Sequence, residues 1–364
     1  MLDRGAVFAG YRIETTLGRG GTGAVYLARH PAMPGPVALK LLDPAVSADP
    51  EIRARFREET EIVARLHHPG IVEVYDSGVD DGCLWLAMQY VDGRDATVIS
   101  PRSLPANRVI ALIDATAAAL DYAHRAGVLH RDVKPANILL ARPTRSRRET
   151  ALLTDFGVGR LPQDADGPGT ILATLAYAAP EQLRGQPLDP RADQYSLACT
   201  LFRMLTGVLP HAATNPSAMI KGHLRDLPLP ITGLRPDLPA ALDTVLARAL
   251  AKHPAHRYPS CSDFLLAIHE TFTTAARPEP RAAPCPPPPP SACADPPGTG
   301  CSETLSAYEP PGSGRFVAEA PSVVQAVEVS QPGHRRSMVP DRARLGYLAI
   351  ATAAVLIVVI GLLN

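Results

Sequence analysis

A histidine, an arginine, an aspartate and, five residues beyond the aspartate, an asparagine stand together in His130-Arg131-Asp132-Val133-Lys134-Pro135-Ala136-Asn137. The types and the spacing suit phosphoryl transfer. That chemistry asks little covalent work of a protein; it asks for a carboxylate near the attacking hydroxyl and an amide oxygen for a metal ion. Asp132 and Asn137 are those two groups. Downstream, Asp155-Phe156-Gly157 offers a second metal-binding carboxylate with a glycine hinge behind it.

Helical periodicity delivers the chain to this loop. Val109, Leu112, Ile113, Thr116, Leu120 and Ala123 form one apolar stripe in a helix that starts near Ser103 and ends at Gly127. Ile138-Leu139-Leu140 and Ala151-Leu152-Leu153 read as two short strands, joined by an arginine-rich tip whose simplest reading is a solvated hairpin. Residues 11–91 read as strands with one helix. In Gly18-Arg19-Gly20-Gly21-Thr22-Gly23-Ala24-Val25, the glycines let backbone approach phosphates closely. A lone GxGxxG also fits a dinucleotide fold, but here a strand follows the glycines instead of a helix, and Val37-Ala38-Leu39-Lys40 comes next on a β-type run. A helix from about Pro50 to Leu66 carries Glu58, Glu59 and Glu61, with Ile62, Val63 and Leu66 marking its apolar face. One glutamate should turn inward to orient Lys40. Spacing alone leaves Glu58 and Glu59 both open. His68–Asp76 and Leu84–Val91 read as an antiparallel pair ending in a hinge, and residues beyond Ala179-Pro180-Glu181 as helices, including 192–205 and 240–250.

Taken in order, Gly18/Gly20/Gly23, Lys40, His130-Arg131-Asp132, Asn137, Asp155-Phe156-Gly157 and Ala179-Pro180-Glu181 resemble the eukaryotic-like serine/threonine protein kinases of bacteria, nearest the membrane-anchored PknB-like group of actinobacteria. The resemblance covers about residues 8–272 and implies an α+β, two-lobed protein kinase fold, with a β-rich N-lobe over about 8–91 and a helical C-lobe over about 92–272. It implies ATP and Mg2+, with Mn2+ as a substitute, and protein Ser/Thr hydroxyls as acceptors. Asp132 would be the catalytic base, Lys134 the cation on the transferring phosphoryl, and Asn137 with Asp155 the metal ligands. Lys40 would hold the nucleotide phosphates, and the alignment through Arg55-Phe56-Arg57-Glu58-Glu59 selects Glu59 as its partner. Leu17, Gly18, Gly20, Gly23, Val25, Ala38, Gln89 and Val91 would enclose the nucleotide, with Met88 as gatekeeper and Gln89, Tyr90 and Val91 as hinge. Glu181 would pair with Arg257, and Asp193 would brace the catalytic loop. Arg131 implies control by a phosphate on the activation loop, staying buried and unpartnered until it arrives; Thr170 is the candidate acceptor there, phosphorylated in trans through self-association, and Thr174 faces the base. This loop departs from the group: it is short, with Asp164, Asp166 and Pro168 around the usual threonine pair, and Ala173 in place of a glycine.

The 36 basic and 36 acidic residues give zero net charge, so no global field argues for a nucleic-acid partner. Fifteen of the 38 prolines fall between Thr273 and Asp341, including the run Pro286–Pro290, and residues 273–344 read as an extended, disordered linker. Cys285, Cys293 and Cys301 recur in it without a CxxC pair and read as reduced thiols; Cys83, Cys199 and Cys261 read as small buried side chains. Residues 345–363 lack any charge and follow Arg335, Arg336, Arg342 and Arg344, which predicts a single membrane-spanning helix with the kinase-like domain on the cytoplasmic side and essentially no extracellular part. Two further readings stand beside an active kinase. A pseudokinase scaffold would require a lesion at Lys40, Asp132 or Asp155, and all three are intact; a small-molecule phosphotransferase has no use for Ala179-Pro180-Glu181.

Overall fold

The computed structural model describes residues 2–20, 23–100, 104–143, 149–156, 175–211, 213 and 215–275. Thr22, Arg145, Arg147, Arg148, Thr170, Thr174, Cys285, Cys293, Cys301, all but the first three residues of the expected linker, and the expected membrane helix lie outside them. Among the described residues no helix is long and apolar enough to cross a membrane.

The N-terminal lobe is a six-stranded antiparallel sheet: β1 (Val7–Phe8), β2 (Tyr11–Gly20), β3 (Gly23–Arg29), β4 (Pro36–Leu42), β5 (Val74–Asp80) and β6 (Cys83–Gln89), in the order β1-β2-β3-β4-β6-β5. Strand periodicity of two sorts its side chains onto two faces. Tyr26, Ala28, Val37, Leu39, Trp85 and Ala87 pack with Tyr11 and Ile13 on the outer face. Ala38, Leu42, Leu84, Leu86 and Met88 pack on the other, with Val25 beside them. Lys40 lies between Ala38 and Leu42 in this alternation, so it belongs to the inner face. The same face receives Ile52 and Phe56 from helix α2 (Pro50–Val63), which Asp49 caps through the N–H groups of Glu51 and Ile52. A short α1 (Pro44–Ser47) precedes it.

Two expectations shift here. The buried side of α2 is Ile52, Phe56, Thr60 and Val63, spaced four, four and three residues apart, whereas Ile62 is 47% exposed. That spacing leaves Glu59 half-buried next to Thr60 and Glu58 in solvent, which separates the two glutamates. Strand β5 also starts later than expected. Residues 70–72 instead bond to Leu153: Leu153 N–H donates to Gly70 O at 2.8 Å and Val72 N–H to Leu153 O at 2.9 Å, tying the two lobes together.

The C-terminal lobe is built on α3 (Ala106–Arg125) and α5 (Pro190–Thr206), the latter buried on most of its circumference. Helix α3 stops where the sequence says it must. Gly127 takes φ +78°, its N–H bonds to His124 O, and Val128 N–H bonds to Ala123 O at 2.9 Å, a Schellman closure that turns the chain into the His130 loop. A three-stranded sheet, β7 (Gly93–Asp95), β8 (Ile138–Ala141) and β9 (Thr150–Leu153), flanks that loop on its downstream side. Helices α4 (Pro180–Leu183), α6 (Pro216–Leu224), α7 (Ala241–Ala249) and α8 (Cys261–Ala275) complete the described part. Helix α8 continues to Ala275, three residues into the stretch expected to be linker, following a turn in which Ile268 and Thr271 are buried.

Candidate active site

The catalytic loop is held from below by one buried carboxylate. Asp193, in the first turn of α5 and 1% exposed, accepts the backbone N–H of His130 at 2.8 Å and of Arg131 at 2.7 Å. It also meets His124 Nε2 at 2.8 Å. Burial alone would raise its pKa, but the bonds and charge of His124 hold it below the usual carboxylate range. His124 in turn lies 3.8 Å from Asp121; burial works against its charged form, yet the two carboxylates push its pKa up to about 9. These backbone bonds hold Arg131 at φ +64°, a left-handed conformation uncommon for a side chain of its size.

His130 is fully buried, and burial keeps its pKa low. Its Nδ1 accepts the N–H of Asp132 at 3.2 Å, so the proton sits on Nε2, which donates to Thr154 O at 3.0 Å. The imidazole therefore joins the loop bearing Asp132 to the segment bearing Asp155, and Phe156 packs on its ring at 4.6 Å. Asp155 itself adopts φ +58°.

Above this base the predicted polar residues converge. Asn137 Nδ2 donates to Asp132 O at 2.8 Å and to Asp132 Oδ2 at 2.7 Å. With its nitrogen so committed, the amide turns its oxygen away from Asp132 as an acceptor. Lys134 Nζ lies 2.9 Å from Asp132 Oδ2. Lys40 Nζ reaches Asp155 Oδ1 at 2.7 Å, and although burial opposes it, that cation lowers the pKa of Asp155. An amide oxygen and an ionised carboxylate are hard oxygen donors of the kind Mg2+ takes, so Asn137 and Asp155 fit the implied ion. The glycine loop fits a nucleotide in the same sense: a Cβ on Gly18 or Gly20 would meet nothing within 4 Å, leaving room for phosphate oxygens. Gly23 is different, since its φ is +140° and a Cβ would fall 1.9 Å from Leu41 O.

The expected Lys40–Glu59 pair is not formed. Glu59 lies 3.3 Å from Arg131 Nη1, while Lys40 is taken by Asp155. Arg131, expected to be buried and unpartnered, has a side chain 52% exposed. The physical reason is local: Glu59 sits at the edge of the buried stripe of α2, where the Arg131 guanidinium reaches it, and Asp155 is the nearer carboxylate for Lys40. Elsewhere the expected tie forms. Arg257 donates to Glu181 Oε1 at 2.7 Å and Oε2 at 2.8 Å, with side chains 0% and 3% exposed.

Around the nucleotide slot, Ala38 and Met88 belong to one apolar cluster with Val25 and Val91 at its border, and Gln89 N–H bonds to Glu73 O at 2.8 Å at the hinge; Leu17, 44% exposed, lies at the outer edge of the glycine strand. Leu139 borders the same cluster from β8 and was not singled out from sequence. Its signal was present: Ile138 and Leu140 are buried on one face, so period two turns Leu139 the other way, toward the slot. Asp121 and His124 were also missed, although their separation of three places both on one side of α3.

These features define a two-lobed fold whose polar residues gather on the loop after α3 and the segment after β9. Residues 11–265 match the protein kinase domain family, and the chain belongs to that family. It is similar to PknJ of Mycobacterium tuberculosis, 48% identical over 268 residues that cover 72% of this chain and 45% of PknJ. It is also similar to PknF of the same organism, 47% identical over 285 residues covering 76% of this chain and 60% of PknF. Both are serine/threonine-protein kinases. The chain thus spans about half the length of the curated relatives it matches. In structure it resembles the crystallised PknI kinase domain of M. tuberculosis, with a TM-score of 0.62 at 44% identity, covering 75% of this chain and 100% of that one.

Proposed function

We propose that this chain transfers the γ-phosphoryl group of ATP to Ser/Thr hydroxyls of proteins. The observation that carries the reading is that Asp132 meets Lys134 and Asn137, that Lys40 meets Asp155, and that the N–H of Thr154, next to Asp155, bonds to Asn137 O at 3.0 Å and so ties the two groups together. Asp132 accepts the proton of the attacking hydroxyl; Asn137 fixes its carboxylate, and Lys134 balances its charge. Lys40 orients phosphate oxygens under the glycine loop, whose Gly18 and Gly20 admit them. Asn137 and Asp155 would hold Mg2+, which supplies positive charge against the phosphates. Asp132→Asn preserves the shape of the loop but removes the base, so purified protein with labelled ATP should lose phosphate transfer by at least ~10²-fold while still binding nucleotide. Transfer that persists in Asp132→Asn at the wild-type rate would refute the assignment.

The crossed pairs favour a second reading, in which the chain binds ATP but turns over poorly. They also suggest how activity is controlled. A phosphate on Thr170 would compete for the exposed Arg131, release Glu59 toward Lys40, and leave Asp155 to a metal ion. The phosphate would be transferred from one copy of the chain to another. Mass-spectrometric mapping of active protein that finds Thr170 unmodified contradicts this route.

The uncharged run 345–363 and its preceding arginines support a membrane tether for the domain. Deleting 345–363 should move the protein from the membrane pellet to the supernatant on fractionation. Unchanged pelleting would overturn the tether.

A further inference from the structure

Beneath the catalytic loop, three side chains from two helices bring together an oxygen, a nitrogen and a sulfur donor. Asp121 and His124 lie one turn apart on α3, and Cys261 opens α8; their ligating atoms all lie within 4.8 Å of one another. The arrangement is already supported from outside. Asp121 accepts the N–H of Cys261 at 3.0 Å and of Ser262 at 2.9 Å, which fixes its carboxylate, and the side chains of His124 and Ser262 also bond to it. His124 presents Nδ1 to the cluster because its Nε2 is engaged by Asp193 at 2.8 Å. A carboxylate behind a histidine in this way is the usual support of a metal-bound imidazole.

We propose that Asp121, His124 and Cys261 form a binding site for one Zn2+ ion, with water as the fourth ligand, stapling α3 to α8 under the catalytic loop. The donor set selects the metal. Mg2+ and Ca2+ take oxygen ligands, whereas a mixed N/O/S set suits Zn2+. Tetrahedral bonds of about 2.0–2.3 Å place ligand atoms roughly 3.3–3.8 Å apart. The Asp121–His124 pair already stands at 3.8 Å, so the widest pair needs to close by about 1 Å, a side-chain adjustment. Asp121 and His124 keep 11% and 7% side-chain exposure, an edge by which an ion enters. Binding releases the thiol proton of Cys261 and the Nδ1 proton of His124 to solvent. The two negative ligands then neutralise the ion, and His124 still donates to Asp193 through Nε2. Since Asp193 also holds the N–H groups of His130 and Arg131, the ion sits three contacts from the catalytic loop, through His124 and Asp193.

The test uses tag-free full-length protein with Cys285, Cys293 and Cys301 changed to Ser, so that the linker thiols cannot contribute. After chelation, Co2+ is titrated as a spectroscopic stand-in. One equivalent should produce a thiolate-to-cobalt charge-transfer band in the near ultraviolet, abolished by Zn2+ and missing in a further Cys261→Ser variant. With Zn2+ at a hundredfold excess over Kd, Tm should rise by roughly 5–10 °C. Absence of the band, or its survival in Cys261→Ser, overturns the site. Should Cys261→Ser fail to fold, zinc-edge X-ray absorption on the parent decides: one sulfur with nitrogen and oxygen neighbours supports the site, and a sulfur-free or multi-sulfur shell refutes it. None of these readouts depends on phosphoryl transfer.

Discussion

The Glu181–Arg257 pair offers a stringent test of the packing argument. Its two carboxylate–guanidinium bonds of 2.7 and 2.8 Å are buried, and Arg257 also donates to Ala251 O and Arg191 O, each at 2.8 Å, above the ring of Tyr195. Glu181→Ala removes the only carboxylate that the described residues bring to that guanidinium. A charge left in such a place costs about 3–5 kcal/mol. For a domain of this size each kcal/mol moves Tm by roughly 2–4 °C, so the variant should melt roughly 6–20 °C lower. Replacing both residues, as Glu181→Met with Arg257→Met, strands no charge and should recover most of that loss. The assay is thermal unfolding of the three proteins, followed by circular dichroism. A fall of less than about 3 °C in Glu181→Ala, or a double variant no better than the single one, would mean that the ion pair does not organise the lobe.

Gly23→Ala should destabilise the glycine strand by more than about 2 kcal/mol, since its Cβ would collide with Leu41 O at φ +140°, whereas Gly18→Ala should keep the wild-type Tm and weaken ATP binding alone. Equal losses of stability in both would contradict the distinction, and urea unfolding with a nucleotide titration reads it. Histidines 211 and 223 set an acid limit. Burial first, and the neighbouring Lys252 cation second, lower their pKa values to about 3 and about 4. The unfolded chain takes up these protons near pH 6.5 and the folded one does not, so stability is intact above 6.5 and declines as pH falls toward 4. Between pH 6.5 and 5 each histidine contributes a loss of roughly 2 kcal/mol, and His211→Gln should show a correspondingly smaller loss in urea unfolding at pH 7 and 5.

What could be read from sequence was whatever local rules determine. The end of α3 follows from Gly127, the inner face of the sheet from alternation through Ala38 and Leu42, and the catalytic loop from residue types at fixed spacing. The choice between Glu58 and Glu59 required the tertiary face of α2, because Ile62, an apolar residue, turned out to point to solvent. The start of β5 was misplaced for a similar reason. Residues 70–72 look like strand, and they do bond as one, but to Leu153 across the lobes instead of to β6. The cluster of Asp121, His124 and Cys261 joins residues about 140 positions apart, a separation that no local pattern reports.

The crossed ion pairs show the same limit and say something about control. A sequence states that Lys40, Glu59, Arg131 and Asp155 can combine as cations with anions; it does not state which combination is taken. Here Lys40 holds Asp155 and Arg131 holds Glu59. The Arg131–Glu59 pair joins side chains 52% and 30% exposed, and Asp155 is 37% exposed, so each link is a partly solvated one worth of the order of 1 kcal/mol or less. Breaking both and forming Lys40–Glu59 is therefore a change of small free energy, well within what one phosphate charge on Arg131 or one divalent ion on Asp155 can supply. Asp132, Asn137 and Lys134 stay fixed throughout, because their loop is anchored by buried Asp193 and by His130. On the proposed function, the base Asp132 is thus built into the stable lobe, and the part of the site open to regulation is the part whose charges face solvent.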